Sequence, residues 1–309
     1  MHITVTGGTW FLGGRLIDRL LDANHQVLVV SRSAESVHRR WGDRVEALVR
    51  DTQEEFPKER LAGTECVIHL MGESLSAFRR TAKKRHRIYA SRIETTTILV
   101  DALPESCHTF LCGSAIGIYP SSATARYMET TSLWEPETFL QMVCQARERE
   151  AQKATTPQRR VIHLRSSLVL GTKWIVPVLM HATKRRGGVL IGASQRSLSR
   201  IHVDDRVGGV VHAISHRSVQ GPVNMVAPTV ATYDRFVRLI AQHLHRPVRL
   251  RLPVRILRLV QWSAAELTTG DQKVLPTVLQ ETGYVFQYED IGEAMRQVCA
   301  ESVDRKPQA

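Results

Sequence analysis

The sequence predicts an α/β fold, a doubly wound parallel sheet joined to a smaller, mainly helical C-terminal lobe. Three observations lead there. The chain opens on a β-branched run, His2-Ile3-Thr4-Val5-Thr6, which passes straight into the glycine-rich stretch Gly7-Gly8-Thr9-Trp10-Phe11-Leu12-Gly13. Short apolar runs then alternate with amphipathic stretches to about residue 170, the pattern of crossover βαβ units in a sheet covered on both faces. Beyond that point the alternation gives way to helical periodicity punctuated by Gly and Pro.

Taken in order, strands are predicted at His2 to Thr6, Gln26 to Val30, Val45 to Val49, Cys66 to Met71, Thr109 to Ser114 and Val161 to Leu164, each a short run rich in apolar or β-branched residues. Apolar residues at helical spacing predict helices at Phe11 to Ala23, His86 to Ala102 and Phe139 to Lys153. The lobe is predicted to hold helices at Ile175 to Arg186, Asp205 to His216, Tyr233 to His243, Val254 to Glu266, Lys273 to Thr282 and Asp290 to Cys299, before a polar, frayed tail from Ser302 to Ala309. This divides the chain into a nucleotide-binding domain over residues 1–220, whose part beyond about 171 serves the substrate lobe, and a C-terminal domain over residues 245–300.

Composition fits a core-burying protein: 309 residues, 43% hydrophobic. The formal charge of +12 favours anionic partners, whether a phosphorylated cofactor, a nucleotide-linked substrate, nucleic acid or an acidic membrane. Five cysteines without a C-x-x-C pair read as reduced thiols of a cytoplasmic protein. No basic-then-apolar leader precedes the first strand and no long uncharged apolar run occurs, so neither secretion nor a membrane span is expected. The 13 histidines show no metal-binding spacing.

A strand, a glycine turn and a helix at the start of a parallel sheet form the dinucleotide-binding, or Rossmann, entry, in which Gly7 turns the chain, Gly13 lets helix and strand approach, and the free N–H groups of the helix start receive a phosphate. Thr9, Trp10, Phe11 and Leu12 complete the turn. The slot of the middle glycine holds Trp10, so the indole swings out over the cofactor channel, the turn shifts, or the channel is filled. Arg32 follows the second strand where an acidic residue would hold a ribose 2′-hydroxyl. A guanidinium there pairs with a 2′-phosphate and favours NADP over NAD, or it is simply a solvated turn residue.

The chain resembles the atypical extended short-chain dehydrogenase/reductases known as epimerase family proteins, nucleoside-diphosphate-sugar epimerase-like chains with a C-terminal domain of unknown function. The resemblance rests on Thr6 to Gly13, His69-Leu70-Met71-Gly72-Glu73, Ser91-Arg92-Ile93-Glu94-Thr95-Thr96, Ser114-Ala115-Ile116-Gly117-Ile118-Tyr119, Leu164 to Gly171, Ile201-His202-Val203-Asp204-Asp205, Gly221-Pro222-Val223-Asn224, His245-Arg246-Pro247 and Gly270 to Pro276. It implies an NADP(H)-binding, oxidoreductase- or epimerase-like protein in which Met71, Gly72 and Glu73 pass beneath the nicotinamide ribose and Arg92 joins the cofactor site.

The Tyr-x-x-x-Lys dyad of the wider superfamily, in which lysine lowers the tyrosine pKa for proton exchange, is absent. Its slots fall near Leu140 and on Cys144, and the family it resembles also lacks it. Two residues stand as replacement candidates: Tyr119, just past a strand end, as an acid, and Ser114 as a hydrogen-bonding group. Tyr119 also reads as a tyrosine packed against a loop, and Ser114 has no base beside it to make it a nucleophile. Cys144 lies between apolar neighbours and reads as an inert thiol, while His202 with Asp204 and Asp205 reads as a helix start more than as a His/carboxylate pair. The basic run Arg79 to Arg87 reads as a solvated helix face rather than a nucleic-acid footprint, and Lys184-Arg185-Arg186 as a helix C-terminus. The expected partner is a small, anionic or nucleotide-linked substrate, with a non-catalytic nucleotide sensor or scaffold as the alternative and a nucleic-acid-binding surface as a third.

Overall fold

The computed structural model describes residues 1–51, 54–74, 81–173, 175–191, 195–252 and 271–304. Its centre is a seven-stranded parallel sheet of β1 (His2–Thr6), β2 (Gln26–Ser31), β3 (Glu46–Val49), β4 (Cys66–His69), β5 (Thr109–Ala115), β6 (Arg160–Ser166) and β7 (Gly221–Met225). The spatial order is β7-β6-β5-β4-β1-β2-β3. Strand order therefore reverses between β1 and β4, and the crevice at that switch point, beyond the strand ends, is where such sheets bind ligands.

The helices are α1 (Phe11–Asp22), α2 (Ala34–Trp41), α3 (Ala82–Ala90), α4 (Ile93–Asp101), α5 (Phe139–Gln152), α6 (Ile175–Arg186), α7 (Val203–Ser215), α8 (Tyr233–His243) and α9 (Ile291–Asp304), with short turns at Lys58–Leu61 and Thr277–Glu281. Strand alternation sorts the core into two layers. Val27 and Val29 face α1, α2 and α7 through Leu16, Ile17, Val37 and Val207. Leu28 and Val30 face the opposite side, with Leu99 of α4 and Ala151 of α5. The lobe has its own core, where Met180 of α6, Phe236 and Ile240 of α8, and Met295 and Val298 of α9 meet.

Several elements depart from the sequence expectation. The single helix predicted from His86 to Ala102 is two, broken at Ser91–Arg92, because both residues turn their polar groups to the loop after β4. Strand β7 was hidden by Gly221 and Pro222. It is an edge strand, where a proline without an N–H costs no ladder bond. The lobe also carries short strand pairs, among them Leu168–Leu170 with Arg200–His202 and Gly188–Ile191 with Val248–Leu252. Lys273–Val274 pairs as a strand with Arg126–Tyr127, and Pro276 delays the helix predicted there to Thr277–Glu281. Helix α9 runs to Asp304, through the start of the segment expected to fray. The helix predicted from Val254 to Glu266, Arg79 and Arg80 of the basic run, Gly270, and residues 305–309 of the predicted tail lie outside the described residues. No described helix is long and apolar enough to cross a membrane, and all five cysteines are unpaired.

Candidate functional site

Gly7 turns the chain out of β1 with φ of 73°. A Cβ there would stand 2.9 Å from the Leu70 carbonyl carbon and from the Met71 nitrogen, so glycine is what lets the turn touch the end of β4. Gly13 is confined in the same way, its absent Cβ falling 2.7 Å from the Gly8 Cα. Trp10 is the N-cap of α1 with φ of −83° and ψ of 172°, ordinary extended backbone, and it is 61% exposed. The indole is thus exposed on an unstrained backbone. Thr9 is exposed beside it, Phe11 packs its ring on Gly171, and Leu12 packs against the core. The first turn of α1 holds no acidic residue and no side chain caps it, so no side chain competes for its N–H groups.

The neighbouring loop is braced from three directions. Arg92 lies against Gly72, where a Cβ would be 2.9 Å from the guanidinium carbon, and donates to the Glu73 carbonyl oxygen at 2.9 Å. Ser91 Oγ accepts the Glu73 N–H at 2.9 Å. Arg147, buried on α5, donates to the carbonyl oxygens of His69 and Met71 at 3.2 and 3.0 Å. The Glu73 carboxylate pairs with Lys84 of α3. That hydrogen bond prevails over partial burial and, with the charges of Arg87 and Arg32, holds the Glu73 carboxyl below its ordinary range. Arg32 itself is exposed on the turn after β2. Arg32, Met71, Gly72, Glu73 and Arg92, distant in sequence, thus meet at one end of the sheet, with Lys84 and Arg147 added by the fold.

On the far side of β4 the structure joins Ser114 and Tyr119, but through groups that sequence reasoning missed. Ser114 Oγ donates to Glu148 Oε1 at 2.6 Å. Glu148 also receives Arg165 in a two-pronged pair, Nε to Oε1 at 3.0 Å and Nη2 to Oε2 at 2.8 Å. The third guanidinium nitrogen of Arg165 donates to the Tyr119 hydroxyl at 2.7 Å, which lies 3.0 Å from Asn224 Oδ1 and 3.2 Å from the Met128 carbonyl oxygen. Tyr119 is fully buried, stacked on Tyr127 with ring centroids 5.1 Å apart, and burial pushes its pKa up in spite of Arg165. In the structure its phenol is enclosed and engaged by Arg165, Asn224 and the Met128 carbonyl. Ser114 remains half-buried at the strand end, holding Glu148. Leu140 is buried, and burial together with Glu148 pushes the Cys144 thiol up to about 11, consistent with an inert thiol. The overlooked signal was a charged residue inside an apolar strand, Arg165, seventeen residues beyond the helix-borne Glu148.

The His202 group is structural. His202 Nδ1 caps α7 by accepting the Asp204 N–H at 3.3 Å, and its other ring nitrogen lies 2.8 Å from Gln297 Oε1. Asp204 pairs with Arg15, and the buried Asp205 accepts the N–H groups of Gln287 and Tyr288 at 2.7 and 2.9 Å. The residue that caps the helix is thus the histidine, not an aspartate. At the start of α5, beside the tyrosine slot, Ile118, Pro120, Trp134, Glu135, Glu137 and Gln141 line a cavity of about 170 Å³. Among the described residues no group of His, Cys, Asp and Glu is arranged to hold a metal.

A family model described as NAD dependent epimerase/dehydratase matches residues 3–226, and one for a domain of unknown function, DUF1731, matches residues 252–298. Epimerase family protein YfhF of Bacillus subtilis is 30% identical over 309 residues, covering 99% of both chains. The human epimerase family protein SDR39U1 is 28% identical over 308 residues, covering 97% of this chain and 100% of its own. The crystal structure of its isoform 2 with NADPH superposes with a TM-score of 0.82 at 25% identity, over 97% of this chain and 99% of that one. With the family model spanning the glycine turn and the whole seven-stranded sheet, this chain belongs to the NAD dependent epimerase/dehydratase family.

Proposed function

We propose that the chain binds NADP(H) across the Gly7–Gly13 turn and is an oxidoreductase- or epimerase-like protein acting on a small nucleotide-linked or otherwise anionic substrate. The observation that carries this reading is the start of α1, acid-free and uncapped, set against a Gly7 that no side chain could replace. The relative solved with NADPH supports the same cofactor. The N–H groups at the start of α1 would hold the pyrophosphate, Arg32 the 2′-phosphate, and the Met71–Glu73 loop, braced by Arg92 and Arg147, the ribose side. Bound NADP(H) would supply hydride exchange. The 170 Å³ cavity beside Leu140 would admit part of the substrate. No side chain at the two dyad slots exchanges protons near neutral pH, so generic carbonyl reduction is expected to run near background.

Titration calorimetry with NADPH and NADH tests the reading. Wild type should prefer NADPH, and Arg32→Ala should weaken NADPH by about 1.5–3 kcal/mol, the range for a charge-assisted contact, with NADH barely changed. Equal losses for both would remove Arg32 from the cofactor. A second reading, nucleotide binding without turnover, is favoured by the enclosed Tyr119 and the missing dyad. Tight NADPH binding with no hydride exchange across a panel of nucleoside-diphosphate sugars would select it.

A further inference from the structure

Arg206 occupies a place that folding alone disfavours. It lies in the first turn of α7 and is only 3% exposed. Its Nε donates to Ser166 Oγ at 3.0 Å, and no carboxylate among the described residues pairs with it. The two acids beside it on the same helix are engaged elsewhere, Asp204 with Arg15 and Asp205 with the backbone of residues 287 and 288. Burial alone drags its pKa down to about 10, with no opposing charge to restore it. A cation in the first helical turn also opposes the helix dipole. A buried, unpaired guanidinium costs several kcal/mol, and an apolar side chain of similar volume would suit the fold better.

The surroundings indicate what would offset that cost. Arg206 lines a small cavity of about 10 Å³, the size of a single oxygen, together with Leu12, Leu16, Leu70, Val207 and Val210. Leu12 belongs to the glycine turn, and Leu70 is the residue that Gly7 touches. Ser166 ends β6. Arg206 is therefore held at the end of β6 and shares its cavity with Leu12 of the glycine turn and Leu70 beyond β4. We propose that Arg206 is the counter-charge for a diphosphate ligand in this crevice, its terminal nitrogens receiving an oxygen of the diphosphate at the cavity. The diphosphate is either that of the dinucleotide, in which case the proposal rests on the reading above, or that of a nucleoside-diphosphate substrate.

Arg206→Met separates a ligand role from a structural one, because the two move stability and affinity in opposite directions. The variant should melt at or above the wild-type temperature while binding NADPH and NADH at least tenfold more weakly, both alike, since they share the diphosphate. If UDP binding falls and dinucleotide binding does not, the diphosphate is the substrate's, and the assignment of Arg206 holds. Inorganic pyrophosphate, which needs no cofactor pocket, should raise the wild-type melting temperature and leave Arg206→Met unmoved. A wild type that binds neither dinucleotide but responds to pyrophosphate would overturn the cofactor reading alone. Unchanged affinity of Arg206→Met for NADH, UDP and pyrophosphate would overturn the proposal. Should Arg206→Met not fold, Arg206→Lys decides: weaker diphosphate binding at the wild-type melting temperature supports the role, and unaltered binding rejects it.

Discussion

Replacing Glu148 by alanine should be among the most damaging single changes in the molecule, for reasons that can be counted in the structure. The Arg165 side chain is 4% exposed and that of Glu148 10%, so water cannot take over a lost partner. Glu148→Ala removes two of the three hydrogen bonds of the guanidinium, leaving only that to Tyr119, and strips Ser114 of its acceptor. Breaking a buried pair from one side costs about 3–5 kcal/mol, a large share of a typical total of roughly 5–15 kcal/mol. At about 2 °C per kcal/mol for a chain of this size, the melting temperature should fall by roughly 6–10 °C. The double variant Glu148→Leu with Arg165→Met should recover most of that loss, because no stranded charge remains, whereas Ser114→Ala should cost only about 1 kcal/mol. Urea unfolding of the singles and the double, combined as a thermodynamic cycle, gives the coupling directly. Glu148→Ala within about 1 kcal/mol of wild type would refute the structural role given to Ser114 and Tyr119 and return both to the list of catalytic candidates.

Two further outcomes rest on Trp10 and His69. Because the Trp10 indole is exposed and its backbone unstrained, Trp10→Gly should change NADPH affinity by less than about tenfold, or 1.4 kcal/mol; a larger gain in calorimetry would mean that the indole blocks the channel. His69 is fully buried between Thr6 and Thr96, and burial together with Arg147 holds its pKa well below the ordinary 6.5. Its folded pKa lies below its unfolded one, so the stability it contributes is complete above about pH 6.5 and is lost as pH falls beneath it. Melting temperatures should be level from pH 8 to 6.5 and decline towards pH 5, less steeply in His69→Gln; a level profile throughout would contradict the argument.

Where local pattern and burial coincide, the sequence was a sufficient guide. Val27 to Val30 is apolar at every position because both faces of β2 are covered, and Gly7 is glycine because the end of β4 touches it. Helices α6 and α8 fall at the limits their periodicity predicts. What could not be read were relations between distant residues. Nothing local at Arg165 announces Glu148, and nothing at Ser91–Arg92 reveals that the helix breaks there to grip Glu73. Tyr119 follows β5 after a turn at Ile116–Ile118, and whether its hydroxyl faces a ligand or a guanidinium depends on Arg165 and Asn224, brought in from two other strands. Pattern gives elements; only assembly gives partners.

The grip on the segment before α9 has a consequence for how freely the chain can change. Asp205 holds the N–H groups of Gln287 and Tyr288, and Arg200 donates to the carbonyl oxygens of Tyr288 and Glu289. Both contacts read peptide groups, which every residue but proline presents alike. The side chains at 287 and 289 are thereby released from specifying the path of the segment into the last helix, a duty that Arg200 and Asp205 take over. Mutational drift should accordingly be tolerated in the side chains at 287 and 289 and punished at Arg200 and Asp205.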